Sequence, residues 1–134
     1  MALYQWDDAL SVGNQHIDDD HKQLIDLVAS LNEAMRTGQN KDVVGKILDD
    51  LVRSTVNHFE REEGFMRQID YVDYQSHKAE HERLVREVKD LQERFDNGSI
   101  TITVSVSNFL ADWLRNHIQG LDKKLAAAIA VAHP

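Results

Sequence analysis

The sequence predicts an all-α protein: an antiparallel up-down-up-down four-helix bundle with an N-terminal loop arm and a short C-terminal helical tail. Three observations carry that prediction. The sole proline is the final residue, Pro134, so no position inside the chain forbids a long helix. Turn-forming clusters cut the chain into four stretches in which apolar residues recur every three or four positions. The links between the stretches are short, and short links make successive helices antiparallel neighbours.

The clusters fix the elements in order. "TGQN" at 37–40 closes the first stretch, "RQIDYVDY" at 67–74 separates the second from the third, and "DNGS" at 96–99 closes the third. Helices are expected at about 19–37, 41–66, 72–96 and 103–119, with the tail near 122–131. Asp18 is the expected N-cap of the first helix, with Asp19 and Asp20 at the positive end of its dipole. The run "ITITVSVS" at 100–107 alternates as a strand would. It has no partner strand, and a lone strand is unstable, so it is expected to be an extended lead-in to the fourth helix.

At 134 residues the chain is expected to form one domain, 1–134, divided into an arm (1–18), the bundle (19–119) and a C-terminal segment (120–134). The absence of cysteine fits a reducing compartment and removes thiolate zinc sites, iron–sulfur clusters and cysteine nucleophiles. The opening "MALYQWDDALSVG" lacks a basic region followed by an apolar run, so neither a leader peptide nor a membrane span is expected, and the cytoplasm is the default location. With 15 Lys+Arg against 23 Asp+Glu the net charge is −8, which argues against a nucleic-acid partner. "LAAAIAVA" at 125–132 is too short to span a bilayer and is expected to pack on the bundle end. The chain is expected to be a monomer.

Seven histidines are many for this length. Following the inward stripe at steps of three and four gives His21, Leu24, Val28, Leu31 and Met35 on the first helix, and Leu48, Leu51, Thr55, His58, Glu62 and Phe65 on the second. The third gives Tyr74, His77, His81, Leu84, Val88, Leu91 and Phe95, and the fourth Val106, Leu110, Trp113 and His117. Five histidines and a glutamate therefore occupy positions that should be apolar. In the antiparallel topology they all fall at one level of the bundle. A single histidine on such a stripe is ordinarily a hydrogen-bonded core residue, but burying this whole set unpartnered would cost several kcal/mol, at roughly 1–3 kcal/mol per unsatisfied group. A metal supplies the partner, and imidazole with carboxylate suits iron, zinc or copper.

Spacing supports convergence. At about 100° per residue, His58 and Glu62, like His77 and His81, lie roughly 40° apart on one helix face. His117 and Asp122 are five apart, roughly 140° around an unbroken helix. Gly120 is expected to end the helix in a left-handed turn and swing Asp122 back toward the cluster. His16, in the loop before the first helix, and His133, in the terminal tail, are expected to be solvated.

"HKAEH" at 77–81 also matches H-x-x-E-H, in which two histidines bind zinc and the glutamate is the base of a protease. That reading explains His77, Glu80 and His81 but leaves His21, His58, Glu62, His117 and Asp122 unaccounted for. Glu80 is expected instead on the helix surface, paired with Lys78 or Arg83.

The combined pattern resembles the bacterial hemerythrins, non-haem di-iron oxygen carriers. The matching residues are His21 in "IDDDH", H-x-x-x-E at His58 to Glu62, H-x-x-x-H at His77 to His81, and W-L-x-x-H-I-x-x-x-D from Trp113 to Asp122, preceded by Trp6, Val12 and Gly13. Two departures touch no ligand: Asp20 stands before His21, where related sequences often have glutamine or glutamate, and the 100–107 run is unusual in composition. The resemblance implies two iron ions, cycling between Fe2+ and Fe3+, bridged by Glu62, Asp122 and an oxo or hydroxo group. If so, each iron has three oxygen ligands, the five histidines divide three and two, and one position stays open. The resemblance assigns His77, His81 and His117 to one iron and His21 and His58 to the other, with dioxygen bound reversibly at the open position. It places Leu24, Trp113, Leu114 and Ile118 around the oxygen, and the stripes independently put Leu24 and Trp113 inward. The implied role is oxygen transport, storage or delivery to an oxygen-consuming enzyme rather than catalysis. Ferritin-like oxidases use Glu-x-x-His, which this sequence lacks; a sensor or a di-iron peroxidase or ferroxidase is the alternative.

Overall fold

The computed structural model describes residues 5–98 and 104–132. Four helices, α1 (Gln15–Arg36), α2 (Lys41–Gln68), α3 (Tyr74–Asp96) and α4 (Val104–His117), form the four-helix bundle, and α5 (Lys123–Ala132) follows α4 through a π-helical turn at Ile118–Asp122. Among the described residues there is no strand. No helix among them is long and apolar enough to cross a membrane.

Capping explains where the helices differ from expectation. α1 starts four residues before position 19 because Asn14, not Asp18, is its N-cap, its side chain accepting from Ile17 N at 3.1 Å. Asp18 lies inside the helix and faces back along the chain, accepting from Ser11 Oγ (2.6 Å) and Val12 N (2.9 Å). It thereby pins the N-terminal arm, whose 3₁₀ turn at Asp8–Leu10 delivers Leu10 to the core. His16 is consequently on α1 rather than in a loop, though exposed as expected. Asn40 caps α2 by accepting from Val43 N at 3.0 Å. Gly38, at φ +70°, takes the left-handed turn after α1 that side chains resist.

The strand-like run is helical where it is described. Residues 104–107 belong to α4, whereas 100–103 lie outside the described residues. Intrahelical bonds satisfy a backbone that a lone strand would leave unpaired, and Ser107 is fully buried with its Oγ 3.1 Å from Asn32 Oδ1.

Most inward positions hold, and the exceptions have a direction. α4 buries Ser107, Leu110, Ala111, Leu114 and His117, so Leu114 takes the inward place expected of Trp113, which is half-buried. The cause lies in which neighbour α4 approaches. α4 packs closely on α1, but α3 and α4 stand further apart with a cleft between them, so the buried stripe of α4 turns toward α1. On α2, Met66 rather than Phe65 is fully buried.

Two apolar clusters flank a polar layer. Leu24, Val28, Leu31, Leu48, Leu51, Val88, Leu110 and Leu114 belong to the larger, and Met66, Tyr71 and Leu125 form the smaller. Along α2 the buried order is Leu48 and Leu51, then His58 and Glu62, then Met66. α5 covers the bundle end as its composition predicts, with Leu125 and Ala126 buried and Lys124 Nζ 2.6 Å from Asp73 Oδ2.

Candidate metal centre

Each helix delivers its part of the polar layer from the end that the up-and-down order brings to this level. His21 comes from the second turn of α1, His58 and Glu62 from the second half of α2, His77 and His81 from the start of α3, and His117 from the end of α4. Asp122 comes from the end of the π turn. All seven side chains are buried, His117 being the most accessible at 8%. Their donor atoms fall into two overlapping groups, each with all atoms within 4.8 Å of one another: His21, His58, Glu62 and Asp122; and Glu62, His77, His81, His117 and Asp122.

Asp122 reaches the layer by a route other than the expected glycine cap. The chain passes from α4 to α5 with helical φ and ψ at both junctions, and Gly120 is not among the glycines with positive φ. A π turn closes i→i+5 and absorbs one extra residue. Residues five apart then face the same way, as residues four apart do in an α-helix, and His117 Nε2 lies 3.0 Å from Asp122 Oδ1.

The two carboxylates divide their oxygens between the groups. Glu62 sets Oε2 3.3 Å from His58 Nε2 and Oε1 2.9 Å from His81 Nε2. Asp122 sets Oδ2 2.7 Å from His21 Nε2 and 3.5 Å from His58 Nε2, and Oδ1 3.3 Å from His77 Nε2. The imidazoles converge as well, with His21 Nε2 and His58 Nε2 3.0 Å apart.

These inward atoms suit a cation better than one another. Both Glu62 oxygens, Asp122 Oδ1 and the Nε2 atoms of His77, His81 and His117 are buried without a hydrogen bond, a cost that native interiors rarely carry unless an ion is bound there. Burial and the Asp122 charge push Glu62 up, yet the facing His58 and His77 rings bring its pKa down to about 2. Burial likewise opposes ionisation of Asp122, but His117, His21 and His58 hold it well below the usual carboxylate range. Burial should lower His77 and His58; the Asp122 and Glu62 carboxylates outweigh it, pushing His77 up to about 9, and with Asp20 they raise His58 well above its usual value. Two ionised carboxylates thus demand positive charge between them, which protons on the imidazoles supply in the metal-free chain. The donor set fits a di-iron site.

Two carboxylates outside the layer orient ligand-type rings. His58 donates its Nδ1–H to Asp20 (3.1 Å) and His81 to Glu63 (3.0 Å), which in the neutral rings that a metal requires turns each Nε2 lone pair inward. Phe59 stacks flat on His81, with centroids 4.0 Å apart. The sequence reading has Asp20 at the positive end of the first helix and as a departure from related chains, not as a partner of His58, and does not single out Glu63. The available signal was that each adjoins a stripe residue, on the flank facing the next helix. Glu80 is not in the layer: half-buried, it lines the α3–α4 cleft and pairs with Arg83, one contact being 3.0 Å. The protease-like reading therefore lacks its base.

The sequence profile described as "Hemerythrin HHE cation binding domain" matches residues 12–129. The chain belongs to the hemerythrin family. It is 40% identical over 126 residues to the bacteriohemerythrin of Methylococcus capsulatus (strain Bath), covering 92% of this chain and 94% of that protein. A bacteriohemerythrin of Stenotrophomonas maltophilia is 34% identical over 94% of this chain and 81% of its own length. The solved structure of a wild-type hemerythrin superposes with a TM-score of 0.88 at 35% identity, covering 94% of this chain and 97% of that one. A hemerythrin variant superposes at 0.90 with 36% identity, covering 97% and 99%.

Within the hemerythrin fold the four expected oxygen-pocket residues share one region. Leu24, Leu114 and Ile118 are buried in the larger apolar cluster, and Trp113 packs against it from outside. Trp113 also lines the α3–α4 cleft of about 580 Å³, together with Leu84, Phe109 and His117.

Proposed function

We propose that this chain binds dioxygen reversibly at a pair of iron ions held by His21, His58, Glu62, His77, His81, His117 and Asp122. One observation carries the reading: two buried donor groups share both of their carboxylates, each offering one oxygen to either side. Glu62 and Asp122 would bridge, and the histidines divide as three (His77, His81, His117) and two (His21, His58). The two-histidine position is one protein donor short, which is where an exogenous ligand fits. Paired ferrous ions would supply the two electrons that dioxygen binding draws on and recover them on release. The chain's part is to hold the donors rigidly, keep the Nε2 lone pairs inward through Asp20 and Glu63, and exclude water. Leu24, Leu114 and Ile118 carry no proton donor, and we assign them with Trp113 to the oxygen pocket.

The role is oxygen storage, transport or delivery to an oxygen-consuming enzyme in the cytoplasm. Purified protein should hold two irons per chain. Its visible charge-transfer absorption should appear when air reaches the dithionite-reduced form and fade when oxygen is removed. One iron per chain, or a single zinc, would end the proposal.

A further inference from the structure

The ring nitrogens that face away from the donor groups are not treated alike. His21 and His77 leave Nδ1 buried without a partner. His58 and His81, one in each donor group, instead donate to a carboxylate. Those carboxylates differ in what else they meet. Arg61 Nε lies 2.9 Å from the same Asp20 oxygen that accepts from His58. Among the described residues, no lysine or arginine forms an ion pair with Glu63.

Both carboxylates are largely enclosed, with side chains 17% and 15% exposed, so little water screens their charge from the rings. An anion accepting from Nδ1–H makes the opposite nitrogen a stronger donor. A guanidinium on that anion withdraws part of the effect. We propose that Asp20 and Glu63 are positioning residues that make the two metal positions unequal. Glu63 strengthens His81 in the three-histidine group more than Asp20, restrained by Arg61, strengthens His58 in the two-histidine group. The bias adds to the histidine count, so the position with fewer imidazoles is also the more electron-poor. This rests on the di-iron reading above.

The test compares Glu63→Gln, Asp20→Asn and Arg61→Met with the parent chain. The first two keep an oxygen acceptor and remove the charge; the third, on a half-exposed side chain, removes only the restraint. Iron is counted per chain, ferrous iron is challenged anaerobically with a chelator, and the midpoint potential is titrated. Glu63→Gln should bind one iron about 10–100-fold less tightly and show a raised potential. Asp20→Asn should move both readings in the same direction by less, and Arg61→Met should lower the potential. A merely structural role for Glu63 would leave the potential of the glutamine variant where it was. That result, or an Asp20→Asn shift as large as that of Glu63→Gln, overturns the inference. Should Glu63→Gln fail to fold, Arg61→Met decides alone, and a potential that does not fall refutes it. A parent chain without two irons sinks the di-iron reading, whereas two irons with unmoved variants sink only this inference.

Discussion

At the scale of single residues, the seven donors and Glu80 make opposite predictions. Replacing His117 or Asp122 with alanine should abolish assembly of the iron pair, while Glu80→Gln should retain two irons, because Glu80 is engaged by Arg83 outside the layer. Iron analysis of the purified variants checks both. The raised and lowered pKa values give a pH dependence for the metal-free chain. His77 titrates near pH 9 when folded, against an ordinary value of 6.5, so its contribution to stability is complete below 6.5 and is lost as pH rises through about 9. Glu62 titrates near 2 against 4.5, so its contribution is complete above 4.5 and is lost as pH falls through about 2. Metal-free protein should therefore resist urea best between those ordinary values, and its unfolding midpoint should drop between about pH 6.5 and 9. Iron-loaded protein should lose less over the same interval, because metal ligation requires neutral imidazoles.

At the scale of elements, the helices and the residues of the polar layer were legible in the sequence, but not how Asp122 reaches that layer. Periodicity shows His58, Glu62, His77 and His81 directly, since residues four apart share a face in any α-helix. The His117 to Asp122 spacing showed only that the α-helix could not run on unchanged. A glycine cap and a π turn both reconcile five residues with one direction, and the choice depends on whether α5 continues the helix, which Leu125 packing on Met66 and Tyr71 decides. The two possibilities separate experimentally. Gly120 has no positive φ, and an added Cβ meets nothing within 4 Å. Gly120→Ala should hence keep both irons and raise stability by about 0.5–1 kcal/mol, the usual gain from alanine inside a helix. A left-handed cap would have predicted a loss. Trp113 was misplaced for a related reason: a stripe drawn at regular steps assumes equal neighbours, whereas α4 leans on α1. Leu114, on the inward side, is accordingly the residue whose truncation matters more. Leu114→Ala should cost about 2–5 kcal/mol and shorten the lifetime of the oxygenated form, measured as the decay of its visible absorption.

At the scale of the molecule, the bundle could be read because hydrophobic spacing, short links and the level of the histidines all specify one arrangement. The start of α1 could not, because it depends on Asn14 competing with Asp18 for a cap. The second apolar cluster is the part of the architecture that ties the C-terminal segment to the rest. Leu125→Ala should lower stability by about 2–5 kcal/mol, as truncation of a fully buried leucine does. It should also speed loss of both irons to a chelator, since the helix it anchors carries on from the turn that holds Asp122.

That turn has an outcome for occupancy. Asp122 serves both donor groups and sits five residues beyond His117, the last of the other donors, so fraying from the carboxyl end would deprive both positions in the same event. Whatever ions the two groups hold would then lose a carboxylate at both positions together.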